Sequence, residues 1–220
     1  LTGPNVPQEL TYSELAGVLQ GGARRIQENC ELLSRLDSAI GDGDHGVTMK
    51  RTAEAILQSV QSCSSGSIAD LLEQLGWNVL SIDGGSIGPL LGSFFLGMAE
   101  AAAGCPALSG PALAGLFEAG LAKLRAQTPA KPGDKTLLDA LVPAVEGLRQ
   151  AAERGANLPE ILACAAEAAE RGAQGTRELQ ARFGRARNLG PRTIGHVDPG
   201  AMSISLLLAG FHDGLAPPKL

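Results

Sequence analysis

Apolar side chains recur along this chain every three to four residues and seldom alternate, which is the spacing of one-sided helices. Leu15, Val18, Leu19, Ile26 and Leu33 form one such stripe; Leu113, Leu116, Phe117, Leu121 and Leu124 form a second; Leu138, Leu141, Val142, Val145 and Leu148 form a third. Intrinsic preference agrees, because 33 leucines stand against 9 isoleucines and 8 valines, a balance that favours helix over strand. No strand is expected. Gly and Pro punctuation divides the chain into eight helices, near 11–35, 45–60, 68–81, 88–103, 110–126, 136–153, 159–182 and 200–213. Short connections make successive helices antiparallel neighbours, so the predicted fold is all-α, an eight-helix up-and-down bundle or barrel. A length of 220 residues suits one buried core, so residues 1–220 are read as a single domain.

The polar residues capable of chemistry fall between these helices, in four Gly-rich segments. They are LDSAIGDGDHG from Leu36, SIDGGSIGP from Ser81, KPGDKTLLD from Lys131 and GRARNLGPRTIGHVDPG from Gly184. By the helix count they follow the first, third, fifth and seventh helices. Alternate loops of an up-and-down bundle share one end, so all four should meet at one rim.

Asp37, Asp42 and Asp44 are spaced by five and then two residues, which cannot place them on one face of a single helix. A turn has to gather them, and three carboxylates held together repel unless a cation intervenes. Hard oxygen ligands of this kind suit Mg²⁺, which keeps room for water and phosphate oxygens. Taken alone, DGD is equally well read as a solvated turn with Asp44 capping the next helix. A calcium EF-hand is excluded: counting from Asp42, the sixth position is Val47 where Gly is required and the twelfth is Ala53 where Glu is required. GDKT is no Walker A motif, since Asp134 stands where Gly precedes the Lys. GGSIG, from Gly84 to Gly88, opens a helix whose free amides can receive phosphate, though a plain turn explains it as well. Arg185, Arg187 and Arg192 form a basic loop suited to phosphate oxygens, and His45 and His196 lie in the same polar segments.

A formal net charge of −5 argues against nucleic acid or anionic membrane as partner, so any phosphate must be bound locally. The most apolar stretches, 88–103 and 201–211, are shorter than the ~20 residues of a membrane span. Cys30, Cys63, Cys105 and Cys164 are far apart with no CxxC pair, so reduced thiols and a cytoplasmic location are expected. The first residues, LTGPNVPQEL, carry no pattern of an export signal.

Together, GDGDHG, GGSIGP, PGDKT and the GPRTIGHVDPG segment resemble, in order and spacing, the L subunit family of dihydroxyacetone kinases over nearly the whole chain. The resemblance implies an eight-helix antiparallel barrel with ADP or ATP at one end. It makes Asp37, Asp42 and Asp44 ligands of two Mg²⁺ ions and, with Arg185, the catalytic set. His45, Gly46, Val47 and Thr48, with Ser86 and Ile87, would line the nucleotide. Leu137 would touch the base where the family often has Met, Arg185 would address the nucleotide, and Asp198, Pro199 and Gly200 would close the site. Two positions depart from the family pattern. Ile87 stands where GGSSG is usual, which removes a hydroxyl, and Asp83 adds a carboxylate that should face solvent, find a basic partner or help hold metal.

The activity implied is phosphoryl transfer to dihydroxyacetone held covalently by a histidine on a separate K-type subunit. In the phosphotransferase-system version ADP stays bound and is rephosphorylated by an M-type subunit. Alternatives are an ATP-dependent subunit for another small ketose and a non-catalytic, nucleotide-dependent regulator of a partner protein. The donor, the ketose and the oligomeric state, a homodimer included, are left open by the sequence.

Overall fold

The computed structural model describes residues 8–215, so most of the stretch read for an export signal, and both ends of the 1–220 domain, lie outside the described residues. Among the described residues are nine α-helices: α1 Tyr12–Glu28, α2 Cys30–Ile40, α3 His45–Ser62, α4 Ile68–Leu80, α5 Ile87–Ala101, α6 Gly110–Arg125, α7 Leu138–Glu153, α8 Leu158–Gly175 and α9 Pro199–Leu215. The extra helix arises because the first predicted one breaks at Asn29. There the side-chain amide donates to the Arg25 carbonyl at 2.8 Å, while the residue's own backbone amide moves to Ile26 at 3.1 Å. A side chain that takes the carbonyl meant for its own backbone ends the helix. Two further differences are small. The helix expected to reach 182 stops at Gly175, and a two-residue antiparallel pair, β1 Leu10–Thr11 with β2 Ala107–Leu108, appears where no strand was expected.

Eight of the helices form a closed ring in the order α1, α3, α4, α5, α6, α7, α8, α9, with α9 packing back on α1. Glycines close it: a Cβ on Gly21 would lie 2.6 Å from the Gly214 Cα, so the two backbones touch only because no side chain intervenes. The stripes read from the sequence turn inward, with Leu19, Ile26, Leu33, Leu124 and Leu148 among the most buried residues, joined by Leu71, Phe95 and Ile161 from other helices. The remaining helix, α2, leaves the ring and packs against α3, α9 and the 3₁₀ segment Arg185–Thr193.

The two ends of the barrel are built differently. At the end carrying β1 and β2, helices begin with side-chain caps. Thr11 and Glu14 form a capping box on α1, Asn157 and Glu160 form another on α8, and Ser67 and Ser109 cap α4 and α6. At the opposite end α3, α5 and α7 follow Asp44, Ser86 and Leu137, none of which caps its helix with its own side chain. The Leu138 amide that opens α7 donates to Thr136 Oγ1 at 3.2 Å and the Asp139 amide to the Thr136 carbonyl at 3.0 Å, whereas first-turn amides of α3 and α5 are left for another acceptor.

Candidate functional site

Asp37 lies in the last turn of α2, not in a loop as its polar surroundings suggested, and is only 9% exposed. Asp42 and Asp44 follow in the short turn to α3, and one oxygen from each of the three carboxylates lies within 4.8 Å of the others. Two contacts hold this geometry. The His45 amide, first in α3, donates to Asp37 Oδ2 at 3.2 Å. Gly46 lets α3 press on α2, since a Cβ there would overlap the Cys30 carbonyl and sit 2.9 Å from the Ser34 nitrogen. Arg185, at the start of the 3₁₀ segment, forms an ion pair with Asp42 across the opening.

The carboxylates border a cavity of about 680 Å³ ringed by all four Gly-rich segments, a size suited to a small ligand. Of the residues to which the family resemblance gives a site role, Gly46 and Val47 alone do not line it. Val47 is 52% exposed, and both face a shallow depression beside Cys30 and Ser34. Rotation of about 100° per residue explains this: His45 and Thr48 share the cavity face of α3 while the two residues between them turn away. Arg187, Arg192 and His196 belong to the surrounding loop but stay outside the lining. Ile87 is 5% exposed and packs into the core, and Asp83 faces solvent while its carbonyl accepts from Arg51 at 3.4 Å.

The structure adds residues to which the sequence reading assigned no role. Gln127, Thr128 and Phe183 line the cavity, and Lys135, quoted within PGDKT, is buried at its edge. Ser203, on α9, has no local signal at all. Its hydroxyl donates to the Pro199 carbonyl at 2.9 Å and meets His45 Nε2 at 2.6 Å, so the ring nitrogen is the donor in that contact. Burial pushes the His45 pKa down, against the raising influences of Asp37 and of the hydrogen bond with the Pro199 backbone. Asp198 caps α9 by accepting from the Ala201 amide at 2.7 Å. Burial raises its carboxyl to about 7; the Ala201 amide and Lys135 pull it down, and Asp139 and Asp37 push it further up.

A cation fits this arrangement on chemical grounds. Three hard oxygen donors converge with one guanidinium against them, and the starts of α3, α5 and α7 place positive helix ends around the same cavity. The class defined is a closed helical barrel with a carboxylate cluster and a cavity at one end. The DAK2 domain matches residues 39–213, and the chain belongs to that family. It is 40% identical over 178 residues, 81% of this chain and 85% of the relative, to the ADP-binding subunit DhaL of the PEP-dependent dihydroxyacetone kinase of Escherichia coli. Identity to a Listeria innocua subunit of the same description is 37%, over 86% of this chain and 87% of the relative. Among solved structures, the native dihydroxyacetone kinase of C. freundii shares the fold, with a TM-score of 0.72 at 23% identity over 97% of this chain. The same enzyme in complex with AMP-PNP and Mg²⁺ gives 0.69 at 25%. This chain spans 37% and 36% of those two chains, respectively.

Proposed function

We propose that this protein is the ADP-binding subunit of a PEP-dependent dihydroxyacetone kinase. It passes a phosphoryl group to dihydroxyacetone held on a separate K-type subunit and is recharged by an M-type phosphotransferase subunit. The observation that carries the reading is the convergence of the Asp37, Asp42 and Asp44 oxygens at a cavity bordered by the starts of α3, α5 and α7, in a chain 40% identical to such a subunit. We read residues 1–220 as one nucleotide-binding domain working in the cytoplasm, a setting supported by four free thiols.

Asp37, Asp42 and Asp44 hold two Mg²⁺ ions, which when bound neutralise the carboxylates and polarise phosphate oxygens. Asp37 is kept in place by the His45 amide, so its oxygen needs no reordering when the site fills. The first-turn amides of α3 and α5, those of Gly46 and Val47 included, receive phosphate oxygens; these two residues serve through backbone, and the Val47 side chain faces away. Ile87 and Leu137 supply apolar surface for the base, and Asp198, Pro199 and Gly200 close the wall beneath it. Arg185, poised over Asp42, stabilises charge that develops on the transferred phosphoryl group.

Titration calorimetry with ADP, with and without Mg²⁺, tests the site: binding should require metal, and equal affinity in EDTA would remove the carboxylates from the role given to them. Supplying K- and M-type proteins with phosphotransferase components should then yield dihydroxyacetone phosphate. Metal-dependent ADP binding without any transfer would leave a nucleotide-dependent regulator in place of a kinase subunit.

A further inference from the structure

The loop between α8 and α9, residues 176–198, carries both Arg185 and Asp198, and its ends are drawn together at a neck. The Gly195 amide donates to the Arg177 carbonyl at 2.8 Å, and the Asp198 amide donates to the Thr176 hydroxyl at 2.8 Å. Farther along, the Ala181 amide donates to Thr193 Oγ1 at 2.9 Å. The segment ahead of α7 meets the loop twice: the Arg182 amide donates to the Asp134 carbonyl at 3.1 Å with an Arg182–Asp134 ion pair beside it, and one further side chain reaches the neck itself. Lys135, just ahead of α7, donates from Nζ to the Thr176 carbonyl at 2.6 Å and also to the His196 carbonyl, one at each end of the loop.

Lys135 is only 2% exposed, although Lys is seldom buried unless paired. It is also the one non-glycine residue at positive φ among the described residues, at 61°. An L-residue keeps that conformation only where its surroundings impose it, and such positions cluster at functional sites. Burial draws the ammonium's pKa down, while Asp198 and Asp139 favour the charged form. Filling the space needs no lysine, since Met has nearly the same reach. What the ammonium adds is simultaneous engagement of two carbonyls from opposite ends of the Arg185 loop.

We infer that Lys135 is a positioning residue for phosphoryl transfer: by clasping both ends of the 176–198 loop it fixes the neck from which Arg185 reaches Asp42. The kinetic part of this inference rests on the proposed function; the clasp itself does not. Because the carboxylates and helix starts hold the nucleotide, loss of the clasp acts on turnover more than on ADP retention.

The test uses the full chain with Lys135→Met and Lys135→Arg, each alone and combined with Arg185→Ala. With Lys135→Met, hydrogen exchange across 177–195 should quicken while α7 stays protected. Turnover with K- and M-type proteins should fall roughly 10- to 100-fold, as expected when buried carbonyls lose a charged donor, and ADP affinity should stay within about threefold. Lys135→Arg should recover part of the turnover, because a guanidinium can donate to both carbonyls. Added to Arg185→Ala, the Lys135→Met change should cost little more, as it acts through the same group. Fully additive losses, or weakened ADP binding at unchanged turnover, overturn the positioning role. Unchanged exchange across 177–195 overturns the clasp. If the unaltered protein binds ADP but transfers nothing, the proposed function fails while the exchange comparison still decides the clasp. Should Lys135→Met not fold, Lys135→Arg carries the same comparisons.

Discussion

Gly46→Ala adds one methyl group that touches no ligand, yet it should disable the site. The new Cβ would overlap the Cys30 carbonyl oxygen and stand 2.9 Å from the Ser34 nitrogen. A serine hydroxyl nearby could rotate away, but these two atoms are backbone of α2, so α2 and α3 must part by about 1 Å to restore normal packing. The bond from the His45 amide to Asp37 Oδ2, 3.2 Å long, crosses this seam, with Asp37 on one helix and Asp44 at the start of the other. Overpacking costs about 1–3 kcal/mol, and the better helix propensity of Ala returns about 0.5–1 kcal/mol. The net loss, up to about 2.5 kcal/mol, should lower the thermal midpoint of a chain this long by up to about 10 °C. A misplacement near 1 Å at the reacting groups costs about 100-fold in turnover, and Mg²⁺-dependent ADP affinity should fall with it. Gly115→Ala is the control, because a Cβ there, inside α6, has nothing within 4 Å and should stabilise by about 0.5–1 kcal/mol. Scanning calorimetry and titration with ADP in Mg²⁺ read both effects. Wild-type midpoint and wild-type affinity in Gly46→Ala would refute the argument that the α2–α3 contact sets the carboxylate geometry.

Two further substitutions separate site from scaffold. Asp42→Asn should abolish transfer and weaken Mg²⁺-dependent ADP binding while the helical circular dichroism stays unchanged, because Asp42 lies in an exposed turn; retained activity would assign the metal to other ligands. Ile87→Ser restores the hydroxyl the family usually has, but Ile87 packs in the core, so the change should lower stability by about 2–5 kcal/mol, against about 0.5–1.5 kcal/mol for Ile87→Val. An unchanged thermal midpoint in Ile87→Ser would show that the side chain is not packed as described.

Much of the barrel is legible in the sequence, because helices are local: a stripe such as Leu138, Leu141, Val145 and Leu148 states its own period, and glycines and prolines state where it stops. The gathering of four polar loops at one end also follows from counting helices, since alternate connections in an up-and-down fold must meet. Tertiary structure decided what depends on groups distant in the chain. It placed Asp37 on a separate helix α2, because the Asn29 side chain takes a backbone carbonyl and α2 then finds its partners in α3 and α9. Helical rotation turned Gly46 and Val47 away from the cavity, which a contiguous motif cannot reveal. Ser203 became the partner of His45 across 158 positions, and Lys135 became the donor to carbonyls 41 and 61 residues away. A chain announces its periods and turns through neighbouring residues, but which buried carbonyl needs a donor is set only when separate segments close on one another and exclude water.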